Sequence, residues 1–179
     1  MTFVAQFALA LFEATFALYG QEKFSYGPAN VAAVFVVCGL VMTVFQVGAV
    51  SLLAGRIREI VQIGAGLGLL GTGLALLAMV RTTVSVLALV GLLALGTALI
   101  SPNITALISQ RNGSRGVGAA LGIQNAANSV GQTVGPLLGG ALFLWRIDAP
   151  YLMTAALVFT VAVAVAWTAL HSQPHGRLA

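Results

Sequence analysis

Six stretches of this sequence, residues 2–19, 28–54, 59–79, 84–107, 117–144 and 151–170, contain almost no charged side chains. Each is near the roughly 20 apolar helical residues needed to cross a bilayer core of about 30 Å. That pattern predicts an all-α polytopic membrane protein with six transmembrane helices. Six crossings use ~120 residues at that length, so the remainder suffices only for short loops. Residues 1–172 then form one transmembrane domain, followed by a short tail at 173–179. No extramembrane domain fits within these 179 residues.

Composition removes the main alternatives. Only 7% of the residues are charged and 59% are hydrophobic, whereas a soluble domain carries about 25% charged residues. The isoelectric point of 10.0 comes from eight scattered cations. No basic cluster exists that tracks a phosphate backbone, so nucleic acid is excluded as a partner. A single cysteine, Cys38, offers neither a disulfide nor a thiolate metal site. His171 and His175, the only histidines, make a poor metal site without further ligands. No metal or cofactor is therefore expected. Residues 1–3 lack a positive n-region, so a cleaved signal peptide is not expected. The glycine-rich run GAGLGLLGTG at 64–73 lies in an apolar segment with no preceding strand, so a phosphate loop is excluded by context.

Nearly every charge falls between the apolar segments. Glu22 and Lys23 are expected in the first loop, Arg56, Arg58 and Glu59 in the second, and Arg81 in the third. Arg111 and Arg115 follow in the fourth, Arg146 and Asp148 in the fifth, and Arg177 in the tail. Alternate loops share a side, so Arg56, Arg58, Arg111, Arg115 and Arg177 oppose Lys23, Arg81 and Arg146. The positive-inside rule places the richer side, with both termini, in the cytoplasm of a cell (inner) membrane protein. Trp145, Tyr151 and Trp167 sit near segment ends, where interfacial aromatics are favoured.

The fifth segment carries the most information. Ala127, Gly131, Gly135 and Gly139 recur at spacing four, and Gly118, Gly122 and Ala126 form a second small-residue column. Lipid gives helices no hydrophobic reason to associate, so small residues mark places where backbones approach closely. Both columns are expected to be packing surfaces. Gln124, Asn128 and Gln132 share one face at i, i+4 and i+8, with Asn125, Ser129 and Thr133 beside them. Such side chains turn away from lipid, toward neighbouring helices or a water-filled cavity. Two adjacent polar columns exceed what packing needs and favour a substrate-cavity wall. Pro136 and Pro102 lack an amide hydrogen, and each predicts a local bend or helix break.

Glu13 is the carboxylate placed inside an apolar run, FALALFEATFALYG. An ionised carboxylate there costs a few kcal/mol, so it is expected to be protonated, paired or facing a cavity. That suits a proton-coupled step, although a position near the interface or a bond to a neighbouring helix explains it equally well. Gln46 and Asn103 are further polar residues inside apolar segments, candidates for the same cavity.

The stretch FEATFALYGQEKFSYGPANV at 12–31 resembles the seventh helix and outer loop of the major facilitator superfamily, in particular its bacterial drug and tetracycline-type efflux transporters. GLVMTVFQVGAVSLLAGRIRE at 39–59 is similar to the eighth helix and the turn into the ninth. GAALGIQNAANSVGQTVGPLLGG at 118–140 is similar to the eleventh. The six segments then correspond in order to helices seven to twelve, although the turn at 55–59 is a degenerate copy. The family's central basic linker and its N-terminal motifs have no counterpart in this sequence.

The resemblance implies alternating access, with two six-helix halves rocking about a central site. It implies proton-driven efflux of a small organic molecule, and a partner in the form of an N-terminal six-helix half, in cis or in trans. Glu13, Gln46, Asn103, Gln124, Asn125, Asn128 and Gln132 would line this half of the cavity, with Glu13 the proton-coupling candidate. A truncated remnant that folds and moves nothing is the second reading. An intramembrane protease of the six-helix rhomboid type is the third. It needs a membrane-embedded serine and histidine, but both histidines are at the tail, and the Gly113–Ser114 site is in a charged loop.

Overall fold

A computed structural model describes the backbone of residues 1–53 and 57–171, and the side chains of 1–48, 57–110 and 116–168. Arg56, Arg177, His175 and the 173–179 tail lie outside the described residues, as do the side chains of Arg111, Arg115 and His171. Every regular element described is a helix: α1 (Thr2–Phe24), α2 (Pro28–Leu53), α3 (Glu59–Leu77), α4 (Thr83–Trp145) and α5 (Ala149–His171).

The helix ends follow local chemistry. Ser25 closes α1 in the left-handed region at φ 55°. Its amide donates to Gln21 O, and that of Tyr26 to Gly20 O, a paired closure that satisfies the last carbonyls of a helix. Pro28 then opens α2, a position where its missing amide hydrogen is no loss. Thr82 caps α4 by accepting from the Ser85 amide at 3.3 Å, as N-cap hydroxyls do.

Five helices still make six passes, because α4 folds back on itself. In a straight helix Thr105 and Gln124 would stand about 28 Å apart. Instead Gln124 Nε2 donates to Thr105 Oγ1 at 3.1 Å, so the chain reverses between them. The first arm, Thr83–Gln110, is long and apolar enough to cross a membrane, as are α1, α3, α5 and the Pro28–Gly48 part of α2. The second arm, 116–145, is more polar and completes the set.

Two sequence expectations are corrected. Helical structure continues through 108–116, where a loop between the fourth and fifth segments was expected. Glu22 and Lys23 lie in the last turn of α1, not in a loop. The reason is tertiary: the Lys23 amine is held by partners from two other helix ends.

The core lies between helices, not around a sheet. Leu67, Leu70, Leu74 and Leu77 of α3 are fully buried, with α3 wedged between the first arm and α5. A Cβ on Gly66 would come within 2.7 Å of Gly96 O, and one on Gly96 within 2.6 Å of Gly66 O. Those two backbones touch only because neither residue has a side chain. Phe12 and Phe16 of α1 pack on Phe35 of α2, edge to face at 6.3 and 5.9 Å.

Candidate functional site

The second arm of α4 has two unlike sides. One is pressed onto α1: a Cβ on Gly131 would meet Phe3 O and Phe7 N at 2.9 Å. On Gly135 it would meet Phe7 O at 2.9 Å and Leu11 N at 3.0 Å, and on Gly139 it would meet Leu11 Cγ at 2.9 Å. At Gly131 and Gly135 these are backbone-to-backbone approaches that any side chain would block. The other side meets nothing within the described bundle, and it is itself divided. Ile123, Val130, Leu137 and Leu144 form an exposed apolar strip suited to lipid. Asn125, Ser129, Gln132 and Thr133 are exposed beside it. Gly118, Gly122 and Gly140 join them, and a side chain at any of the three would have open space for 4 Å around its Cβ. Gly118 and Gly122 therefore depart from the expectation of a packing column within this chain.

The polar residues named from sequence do not form one wall. Successive i+4 positions drift by about 40° around a helix of 3.6 residues per turn, so Gln124 and Gln132 end about 80° apart. Gln124 is buried between the arms of α4, bonded to Thr105, with its Oε1 unpartnered. Asn128 is half-buried in a small cleft against α1. Asn125 and Gln132 are exposed. Asn103 is engaged elsewhere: its Nδ2 donates to Gln62 Oε1 at 3.1 Å and to Leu99 O at 2.6 Å, joining the first arm to α3. Gln46 is half-exposed on α2, and Glu13 is exposed on α1. Pro102 and Pro136 both lie inside α4, and the large change of direction comes from the chain reversal instead.

A second polar cluster went unread in the sequence. Thr15, Tyr19 and Lys23 form an i, i+4, i+8 column on α1 that joins three helix ends. Lys23 Nζ donates to Tyr19 Oη and Ala78 O at 2.6 Å and pairs with Asp148 at 3.0 Å. Tyr19 Oη donates to Leu77 O at 2.6 Å. Tyr151 packs its ring against Tyr19 at 4.7 Å and accepts from Thr15 Oγ1 at 3.1 Å. The spacing of four was the available signal. Among the described residues no group of three or more His, Cys, Asp or Glu lies together.

An all-helical bundle of this kind, with an apolar exterior and an exposed polar strip on one helix, defines a polytopic membrane protein. The family model of the Major Facilitator Superfamily matches residues 1–178, and the chain belongs to that family of transporters, not to an enzyme family. It is 30% identical to Multidrug resistance protein 2 of Bacillus subtilis (strain 168) over 174 residues, covering 93% of this chain and 42% of that protein. It is 29% identical to Multidrug resistance protein 1 of the same organism, covering 93% and 43%. With Quinolone resistance protein NorA of Staphylococcus aureus (strain COL) the identity is 28%, covering 92% and 42%. The chain thus spans about two-fifths of the length of these relatives.

Proposed function

We propose that this chain is one six-helix half of an exporter, which moves a small organic molecule out of the cell by alternating access. The observation that carries the reading is the split outer side of α4's second arm. The uncharged amides of Asn125 and Gln132 are poorly placed against lipid, whereas the Ser129 and Thr133 hydroxyls donate to carbonyls of their own helix and the apolar strip next to them is well placed. The polar strip is the face this half turns to its substrate and to a second six-helix half. The length of the relatives supports that partner, and their names, multidrug and quinolone resistance proteins, support an organic substrate.

In this reading Glu13, on the exposed side of α1, is the group that exchanges protons with each cycle. The cell membrane holds the protein with both ends of the bundle in the cytoplasm. A dye-export assay in everted vesicles tests the reading, using the chain together with a second half. An imposed proton gradient should drive dye export, and Glu13→Gln, nearly isosteric but unable to release a proton, should uncouple it. Gradient-driven export that persists in Glu13→Gln removes Glu13 from the mechanism. Cysteines placed at Arg58 and Arg81 should label from opposite sides of the membrane, and labelling from one side overturns the topology.

A further inference from the structure

Two faces of this bundle share one pattern. On the second arm of α4, Gly118, Gly122, Asn125, Ser129, Gln132 and Pro136 are all exposed. On α2 the exposed set is Ala29, Ala32, Val36, Gly39 and Thr43, continued by the half-exposed Gln46. Both sets alternate steps of four and three, the spacing of a left-handed seam between two helices. Most members are small and none is charged, and a Cβ on Gly39, Gly118 or Gly122 would meet nothing within 4 Å. The Thr43 and Ser129 hydroxyls are satisfied by Gly39 O and Asn125 O of their own helices. The side chains left without a hydrogen bond to another described residue are the amides of Gln46, Asn125 and Gln132, and lipid offers them no partner.

The two faces fit each other. As the second and fifth passes, α2 and the second arm run in opposite directions. Counted at 1.5 Å per residue from the neighbouring ends Pro28 and Trp145, Gln46 and Asn125 stand within about 3 Å of the same depth. Inside one chain they cannot meet, because α1 stands between them. Its Phe12 and Phe16 pack on Phe35 of α2, and its backbone at Phe7 and Leu11 on Gly131 and Gly135. A second copy, turned by half a rotation about the membrane normal, lays its α2 on this arm and receives this α2 on its own. Both seams then close in one isologous interface, and parallel repeats about such an axis are how the two halves of this superfamily are related. Amides suit the pairing because each both donates and accepts, and neither seam brings like charges together. We propose that the second six-helix half is a second copy of this chain, each α2 seated on the other copy's second arm of α4. This chain spans 42% of Multidrug resistance protein 2, a length that holds two such halves. With α1 and Glu13 of each copy between the two contacts, the export site is complete only in the pair. The proposal rests on the reading of this chain as one half of an exporter.

Disulfide cross-linking in membranes tests it, with two differently tagged copies in a Cys38→Ala background. Thr43→Cys in one copy and Ser129→Cys in the other stand within about 2 Å of the same depth, and should join into a species of twice the chain's mass. Val163→Cys, on the exposed side of α5, should not join to Ser129→Cys. Gly39→Leu and Gly122→Leu should each lose the cross-linked species while keeping the helical circular dichroism of the wild-type chain. A chain that stays monomeric, with no cross-link between Thr43→Cys and Ser129→Cys, overturns the proposal. A cross-link that survives both leucine substitutions overturns it as well, placing the contact elsewhere. Dye export by the same membranes separates this proposal from the reading beneath it. Export that requires an unlike half and proceeds without the cross-link overturns the second copy alone. A cross-linked pair that moves no dye under a proton gradient keeps the interface and overturns the exporter.

Discussion

The second arm of α4 carries glycines at spacing four along two columns, and the two meet opposite surroundings. Gly131, Gly135 and Gly139 lie against α1, with room for no side chain, while Gly118 and Gly122 face open space. Both columns obey the same small-residue rule. The rule thus identifies a close approach without naming the neighbour: one column meets it inside this chain, and the other points away from the bundle beside Asn125 and Ser129. Within a single helix, the same spacing separates what holds this bundle together from what lies exposed on it.

Substitutions sharpen that contrast, and the largest effect belongs to the packed column. Gly135→Leu should destabilise the bundle by at least about 1–3 kcal/mol, the usual cost of overpacking, because its Cβ already meets two backbone atoms of α1. Gly131→Leu should behave alike. Wild-type melting of both variants in detergent would show that the α1 contact contributes nothing.

Next in size is the cluster behind α1. Lys23→Met leaves Asp148 unpaired and the Ala78 carbonyl without its donor, with a loss of about 1–3 kcal/mol expected. Asp148→Asn should cost less, since the amine keeps Tyr19 Oη and Ala78 O as acceptors. A double-mutant cycle between the two positions measures their coupling, and additive losses would assign no energy to the pair.

Smaller still is Gln124→Leu. It removes a buried amide whose oxygen is already unpartnered, so stability should change by less than about 1 kcal/mol. A larger loss would mean that the bond to Thr105 is what closes the two arms of α4.

The smallest effect is expected at the outward column. Gly118→Leu and Gly122→Leu should stay within about ±0.5 kcal/mol of wild type in the isolated chain. Under the proposed function, the same substitutions should reduce export when a second six-helix half is present. A strong destabilisation of the isolated chain would place this face inside the bundle and erase the contrast.

The passes through the membrane were legible in the sequence because a run of some 20 apolar residues has few other uses. Their ends were less so. Lys23 reads as a loop residue by charge alone, and its place in α1 depends on the Ala78 carbonyl and on Asp148, which stand 55 and 125 positions away. The polar columns were legible as a pattern but not as a surface. Gln124, Asn128 and Gln132 look collinear, yet the drift of the helix puts the first between two arms, the second in a cleft and the third outside. Asn103 reads as a cavity residue until Gln62 is seen across from it. The reversal of α4 did leave a local sign, the charged stretch at 108–116 between two less charged segments, whereas the continuation of helical structure through it did not.

Burial also inverts the familiar relation with hydropathy. In the most apolar window of α1 67% of residues are buried inside the protein, against 11% for α2, yet α2 is the more apolar of the two. In water that order would be unstable. In lipid it follows, since the helix with fewer protein neighbours must satisfy hydrocarbon over more of its surface.

The seam between α1 and the late helices also has a consequence in time. Thr15 bonds Tyr151, 136 residues further along the chain, and the glycine seam lies almost as far. A ribosome adding roughly 5–20 residues per second makes α1 well before its partners, leaving an interval on the order of ten seconds. Throughout that wait Thr15 of α1 is without Tyr151, and Gly131 and Gly135 have yet to reach its backbone. The helix with the largest buried share among the described spans therefore completes its packing last, when the second arm of α4 and α5 arrive.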